Sequence, residues 1–140
     1  MTAAGPEFRF SVPGKPVPKA RPRMTRQGRV YTPAETLAYE RLVAKHAVAQ
    51  GVGMASGPVE VDISVRFPIP PSWAKVRKAD AHGAPHTQRP DLDNLAKSVL
   101  DGLNGVAWHD DAQVCRVSAS KSWDADCGAG IVQVAIRPVH

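Results

Sequence analysis

The sequence predicts a single α+β domain, with a mixed β-sheet whose helices pack on one face. A chain of 140 residues can bury one hydrophobic core and is too short for two, so we expect residues 1–140 to form one domain. Hydrophobic residues make up 43% of the chain and charged residues 22%, which is typical of a globular protein. The periodic segments follow the order strand, helix, strand, helix, strand, strand, and this order indicates an α+β fold.

The N-terminal third is predicted to contain a strand, a loop and a helix. Two phenylalanines alternate with polar residues over positions 7–12, which indicates a first strand. A proline-rich basic segment follows as a long loop. Thr32 as the N-cap, Pro33 at the first helical position and Glu35 closing a capping box predict a helix that extends to about Gln50. Its expected apolar stripe consists of Leu42, Val43, Ala47 and Val48.

The clearest strand of the sequence covers residues 59–67, where apolar and polar residues alternate without interruption. One face of this strand should pack in the core and the other should contact water. The next residues, 68–90, are rich in proline, and we expect a long loop with at most a short helix over 74–81.

The C-terminal third is predicted to contain one helix and two strands. The helix covers about Leu92 to Asn104 and ends at Gly105. The strands cover roughly residues 113–123 and 130–137, and residues 124–128 should provide the turn between them, as in a hairpin.

The charge of the chain favours a nucleic-acid partner. The formal net charge is +5, and positions 15–29 contain six lysines and arginines and no acidic residue. Three prolines stiffen this segment and lower the entropy lost when its cations align with phosphates. No apolar run is long enough to span a membrane and no signal peptide is evident, so we expect a cytoplasmic protein with Cys115 and Cys127 reduced.

Against this basic background, five of the thirteen acidic residues fall between Arg89 and Gln113. Asp91 is expected at the N-cap of the second helix and Asp93 in its first turn. Both could be structural, because a capping aspartate contributes about 1 kcal/mol. Asp93 could also form a surface ion pair with Lys97, four residues later, worth roughly a few tenths of a kcal/mol.

A second acidic pair, Asp110 and Asp111, follows the helix. A helix of about twelve residues rises roughly 18 Å. If the next strand runs back beside the helix, the start of that strand need not face Asp91. Sequence spacing therefore leaves open whether the two acidic pairs meet.

The run RPDLDNLAKSVLDGLNGVAWHDDAQV closely resembles the signature of the RusA family of Holliday-junction resolvases. That signature reads Asp-x-Asp-Asn-Leu-x-Lys, then a short helix and turn, then an aromatic residue and Asp-Asp-x-Gln-Val. The segment GKPVPKARPRM, the later Val30-Tyr31-Thr32-Pro33 and Lys121-Ser122-Trp123 also resemble members of that family. The resemblance extends over most of the chain.

The resemblance implies a Mg²⁺-dependent endodeoxyribonuclease, with Mn²⁺ as a substitute ion and without a small-molecule cofactor. It makes Asp91, Asp93 and Asp111 the metal-binding carboxylates and adds Lys97 as the catalytic lysine, with the role of Asp110 open. Three carboxylates without sulfur suit a hard cation such as Mg²⁺. The substrate would be a four-way DNA junction, nicked at two symmetric positions by a homodimer in recombination and repair.

The DNA-binding residues are expected to be cations that contact phosphates without reading bases. They are Lys19, Arg21, Arg23, Arg26, Arg29 and Arg89. Three alternatives remain: a nuclease for flaps, forks or other branched DNA, a protein that binds branched DNA without cutting it, and a zinc protein that uses His82, His86 and His109. Trp108 and Trp123 are expected to be core or groove-wall residues.

Overall fold

A computed structural model of the protein describes residues 7–139. The strands are β1 (Phe8–Pro13), β2 (Arg23–Met24), β3 (Val30–Tyr31), β4 (Val59–Pro68), β5 (Val114–Asp124) and β6 (Ile131–Pro138). The helices are α1 (Ala34–Ala49), α2 (Lys75–Ala81) and α3 (Leu92–Leu103), and a 3₁₀ turn, Asp111–Gln113, precedes β5. Among these residues no helix has the length and apolarity needed to cross a membrane.

Four strands form one mixed sheet in the order β1-β6-β4-β5. β4 is parallel to β5 and antiparallel to β6, and β6 is antiparallel to β1. The predicted α+β fold is confirmed. The predicted turn at residues 124–128 is present, but it does not close a hairpin, because β4 lies between β5 and β6. A local turn signal shows that the chain reverses, but it does not determine which strand the returning chain will pair with.

The core lies between the sheet and the helices α1 and α3. β4 alternates as predicted, since Val59, Val61, Ile63, Val65 and Phe67 are buried and the residues between them are partly exposed. The buried side chains of β4 belong to one apolar cluster with residues of both helices, including Val43 and Leu95. At about 25 cal/mol per Å² of apolar surface, burial of this face is the main stabilising contribution.

Helix α1 begins later than predicted. Its N-cap is Pro33, which has extended backbone angles and makes no capping bond through its side chain, so the capping box of Thr32 and Glu35 is wrong. Thr36 is instead buried, and its hydroxyl oxygen accepts a hydrogen bond from the Ala20 amide at 3.2 Å. The buried face comprises Thr36, Tyr39, Val43 and Ala47, whereas Val48 of the predicted stripe is 64% exposed.

Helix α3 connects the end of β4 to the start of the parallel strand β5, and it therefore runs antiparallel to both. The loop before α3 is fixed to the end of β5. The Gly83 amide donates to the carbonyl of Trp123 at 2.8 Å, and the Trp123 amide donates to the carbonyl of Ala84 at 3.0 Å. The N-terminus of α3 consequently lies near the end of β5 and its C-terminus near the beginning of β5.

The basic segment was predicted to be a loop, but it contains a small antiparallel ribbon formed by β2 and β3. Its turn is closed by hydrogen bonds from the Thr25 amide to the Arg29 carbonyl (2.8 Å) and from the Gly28 amide to the Thr25 carbonyl (3.0 Å). Gly28 has φ +83°, a backbone angle that glycine tolerates best. The ribbon presents its side chains to solvent on both strands.

Candidate active site at the two ends of helix α3

Two acidic residues at the start of α3 have no structural task that accounts for them. Asp91 is the N-cap residue, as predicted, but its exposed side chain makes no capping hydrogen bond. Asp93 is exposed in the first turn, and one of its oxygens accepts a hydrogen bond from the adjacent Asn94 amide at 2.9 Å. Both carboxylates therefore retain free oxygens at the positive end of the helix dipole. Such oxygens suit a hard divalent cation.

Lys97 lies one turn after Asp93 on the same side of α3 and is exposed. Within residues 7–139 it forms no ion pair, so the surface pair with Asp93 that the spacing allowed is not formed. Its ammonium group is free to meet an anionic ligand.

The adjacent aspartates before β5 have different tasks. Asp110 caps the 3₁₀ turn, because its carboxylate accepts the Ala112 amide at 2.9 Å. Gln113 completes a capping box by accepting the His109 and Asp110 amides at 2.8 and 3.1 Å. The amide of the Gln113 side chain donates to the carbonyls of Ala55 and Gly57, each at 3.0 Å, and ties the turn to the segment before β4. Asp110 is thus structural.

Asp111 is exposed, and a hydrogen bond from a buried neighbour orients its carboxylate. The indole Nε1 of Trp108, a residue with no exposed surface, donates to one carboxylate oxygen of Asp111 at 3.1 Å. The prediction that Trp108 and Trp123 are core residues is confirmed, since both are buried. The orienting role of Trp108 was missed, because sequence spacing alone does not show that the indole faces Asp111.

The two acidic groups lie at opposite ends of α3 within one chain. Pro90, which precedes Asp91, accepts a hydrogen bond from Lys121 in the second half of β5, whereas Asp111 belongs to the turn that leads into β5. The helix has 12 residues, which corresponds to about 18 Å. Among the described residues, Asp91, Asp93 and Asp111 do not form a group with ligand atoms within 4.8 Å of one another.

One other cluster of ligand-type side chains occurs in the described part of the chain. His82, Asp124 and Asp126 have ligand atoms within 4.8 Å of one another at the end of β5. Two of these residues are already engaged, because Asp124 pairs with Arg66 at 3.0 Å and the His82 Nδ1 accepts the Ala125 amide at 2.9 Å. The cluster is explained by these intramolecular contacts.

The zinc alternative would require His82, His86 and His109 to converge. In residues 7–139 these three histidines do not form such a group. His86 is 5% exposed and packs against Phe67 and Trp123, with ring centroids 4.1 and 4.3 Å away. Burial, and to a lesser extent the charge of Lys121, lower the pKa of His86.

The predicted DNA-binding cations fall into two groups. Arg21, Arg23, Arg26, Arg29 and Arg89 are exposed and form no ion pair within the described residues. Lys19 is different, because its side chain is 18% exposed and its Nζ lies 3.3 Å from Glu40 and 3.0 Å from Asp101. Burial opposes the charge, but Asp101 and Glu40 outweigh it and raise the pKa of Lys19.

The basic segment is attached directly to α3. The Lys19 amide donates to the Asn94 carbonyl at 2.8 Å, and the Ser98 hydroxyl donates to the Val17 carbonyl at 2.8 Å. The four arginines that follow therefore begin beside the helix turns that contain Asp93 and Lys97. The candidate acidic residues and the start of the basic segment are therefore neighbours at this end of the molecule.

Comparison with known proteins identifies the family of this chain. The profile of the family described as Endodeoxyribonuclease RusA matches residues 13–137. The chain is also 34% identical over 140 residues to the uncharacterized protein YqaN of Bacillus subtilis (strain 168), with 94% of this chain and 96% of that protein covered. Since the family profile spans nearly the whole of the described chain, this protein belongs to the RusA endodeoxyribonuclease family.

Proposed function

We propose that the protein is a Mg²⁺-dependent endonuclease that resolves four-way DNA junctions by paired nicks. The observation that supports this most is the pair of exposed carboxylates, Asp91 and Asp93, which keep free oxygens and lie near the start of the basic segment. Clustered acidic side chains weaken the binding of DNA unless a cation neutralises them. Family membership supplies the class of reaction.

The separation of the acidic groups supports a homodimer. Asp111 follows the C-terminal end of α3, a helix that rises about 18 Å, and its carboxylate does not form a group with Asp91 and Asp93 within 4.8 Å, so we infer that a metal site using all three does not close within one chain. In a two-fold dimer the Asp91 end of one protomer can meet the Asp111 end of its partner, and the symmetry creates two such sites. Two sites match the two strands that a junction resolvase must cut.

The chemistry follows from the types of side chain. A bound Mg²⁺ supplies a water of lowered pKa and neutralises charge on the phosphoryl oxygens. Asp91, Asp93 and Asp111 would hold the ion, and Mn²⁺ fits the same oxygen ligands. Lys97 would contact the phosphate oxygens of the scissile strand, because its ammonium is exposed and unpaired one turn from Asp93.

DNA recognition would rest on the phosphate backbone. The exposed arginines of the basic segment and Arg89 can contact phosphates without reading bases. Each phosphate contact should contribute about −0.9 to the slope of log affinity against log salt concentration. Lys19 would act indirectly, because its ammonium already pairs with Glu40 and Asp101. These ion pairs hold the chain that precedes the ribbon.

Two other functions use the same surfaces. A nuclease for flaps or forks would need the same metal ligands, and a protein that only binds branched DNA would need the basic ribbon alone. The free carboxylates disfavour the binding protein, because they would repel phosphates without contributing to the fold.

The test is cleavage of a labelled four-way junction, compared with three-way, flap and linear duplex DNA, in Mg²⁺ or EDTA. Asp93→Asn should abolish cutting and preserve or tighten junction binding. Asp80→Asn is the matched control, because Asp80 is an exposed aspartate on α2 that forms no ion pair within residues 7–139. Cutting by Asp93→Asn at the wild-type rate would contradict the proposal, and preferred cutting of flaps would favour the alternative nuclease.

A further inference from the structure

Lys121 occupies an unusual position for a cation. It pairs with Val65 of β4, and its neighbours Ala119 and Trp123 pair with Ile63 and Phe67. Because side chains alternate along a strand, Lys121 lies on the same face of β5 as Ala119 and Trp123, which pack on the core. Lys121 is half-buried at this position, so its ammonium group reaches the segment that precedes α3.

The ammonium group of Lys121 donates to two backbone carbonyls. Its Nζ lies 2.6 Å from the Gln88 oxygen and 2.8 Å from the Pro90 oxygen. Within residues 7–139 no carboxylate lies within 4.0 Å of it. The main chain of Lys121 also takes part, since its carbonyl accepts the His86 amide at 3.1 Å. One residue thus bonds the chain at positions 86, 88 and 90.

These bonds end immediately before the carboxylate pair. In the described chain no other hydrogen bond is made to residues 87–90, so the Lys121 ammonium is what fixes the segment. Asp91 is the next residue and Asp93 follows in the first turn of α3. The bonds from Lys121 thus reach the residue that immediately precedes Asp91, three positions before Asp93.

We infer that Lys121 is a positioning residue for Asp91 and Asp93, and that it sets the affinity of this pair for a divalent cation. The inference rests on the proposed function for the identity of the ligand. Lys121 does not contact the metal or the DNA in this role. Loss of groups that orient metal ligands commonly lowers metal affinity or activity about 10- to 100-fold, and we expect Lys121→Met to fall in this range.

The experiment compares wild type with Lys121→Met, Lys121→Arg and the control Lys45→Met. Lys45 is exposed on α1 and its replacement removes the same charge. Backbone ¹⁵N order parameters of residues 87–93 should fall from about 0.85 toward 0.6 in Lys121→Met only. The Mn²⁺ concentration that half-broadens the amide signals of residues 91–95 should rise about 10- to 100-fold. Lys121→Arg can donate to both carbonyls and should restore most of both values.

Cleavage is measured in parallel on the four-way junction. In Lys121→Met the Mg²⁺ concentration for half-maximal rate should rise, and high Mg²⁺ should recover part of the rate, while junction binding in EDTA stays unchanged. Wild-type order parameters and Mn²⁺ affinity in Lys121→Met would overturn the inference. If no protein cuts any branched DNA but the Mn²⁺ affinities differ as expected, the proposed function fails and the positioning role of Lys121 stands.

Discussion

Asp110 and Asp111 are neighbours of the same type, yet the structure predicts opposite results when each is changed. The Asp110 carboxylate accepts the Ala112 amide at 2.9 Å, within a capping box. Its replacement by alanine should cost about 1 kcal/mol of unfolding free energy, which is roughly 3–4 °C in Tm for a chain of this size. Cleavage should persist, because the free oxygens of Asp111 remain.

Asp111→Asn should give the reverse result. Its amide oxygen can still accept a hydrogen bond from the Trp108 indole Nε1, which lies 3.1 Å from the Asp111 carboxylate oxygen, so Tm should change little. Metal-dependent cleavage should be lost. The assay pairs thermal unfolding with junction cleavage for Asp110→Ala, Asp110→Ser, which retains a capping oxygen, and Asp111→Asn. Loss of cleavage in Asp110→Ser together with wild-type cleavage in Asp111→Asn would refute the assignment of capping to Asp110 and of metal binding to Asp111.

Three further changes test separate parts of the account. Arg26→Ala should reduce the magnitude of the salt slope of junction binding by about 0.9, and an unchanged slope would exclude Arg26 from phosphate contact. Burial lowers the pKa of His86 below its ordinary 6.5, so the unfolded chain binds this proton first. Unfolding free energy should therefore fall as pH drops below about 6.5, and urea titrations should show a smaller fall in His86→Phe. Lys19→Met leaves two carboxylates without their shared cation and should destabilise the fold by about 1–2 kcal/mol, whereas an unchanged urea midpoint would contradict this.

Regular alternation and helix signals predicted most of the main elements. The strand at residues 59–67 and the helix from Leu92 were confirmed within one or two residues, because each buries one face and its period follows from that burial. The errors arose where contacts between distant parts of the chain determine the structure. The N-cap of α1 is Pro33 and not the predicted Thr32, and the position of β4 between β5 and β6 cannot be read from residues 124–128.

The candidate site, too, was predicted in part from local sequence and depends in part on contacts between distant residues. Residue types and the family resemblance identified the acidic residues, but local spacing left open whether Asp91 and Asp111 meet. Their separation follows from the direction of α3 relative to β5, which is a property of the whole sheet. The hydrogen bonds from Lys121 to the carbonyls of Gln88 and Pro90 could not be predicted either, because they join a side chain to backbone more than thirty positions away.

In the proposed homodimer, each metal site combines Asp91 and Asp93 of one protomer with Asp111 of its partner. Asp91→Asn and Asp111→Asn should each be inactive alone. When the two variants are coexpressed, half of the dimers should be mixed and each mixed dimer should contain one intact site, so about a quarter of wild-type nicking should return, as single nicks. A coexpressed mixture that remains inactive although mixed dimers form would show that the three carboxylates act within one chain or not at all.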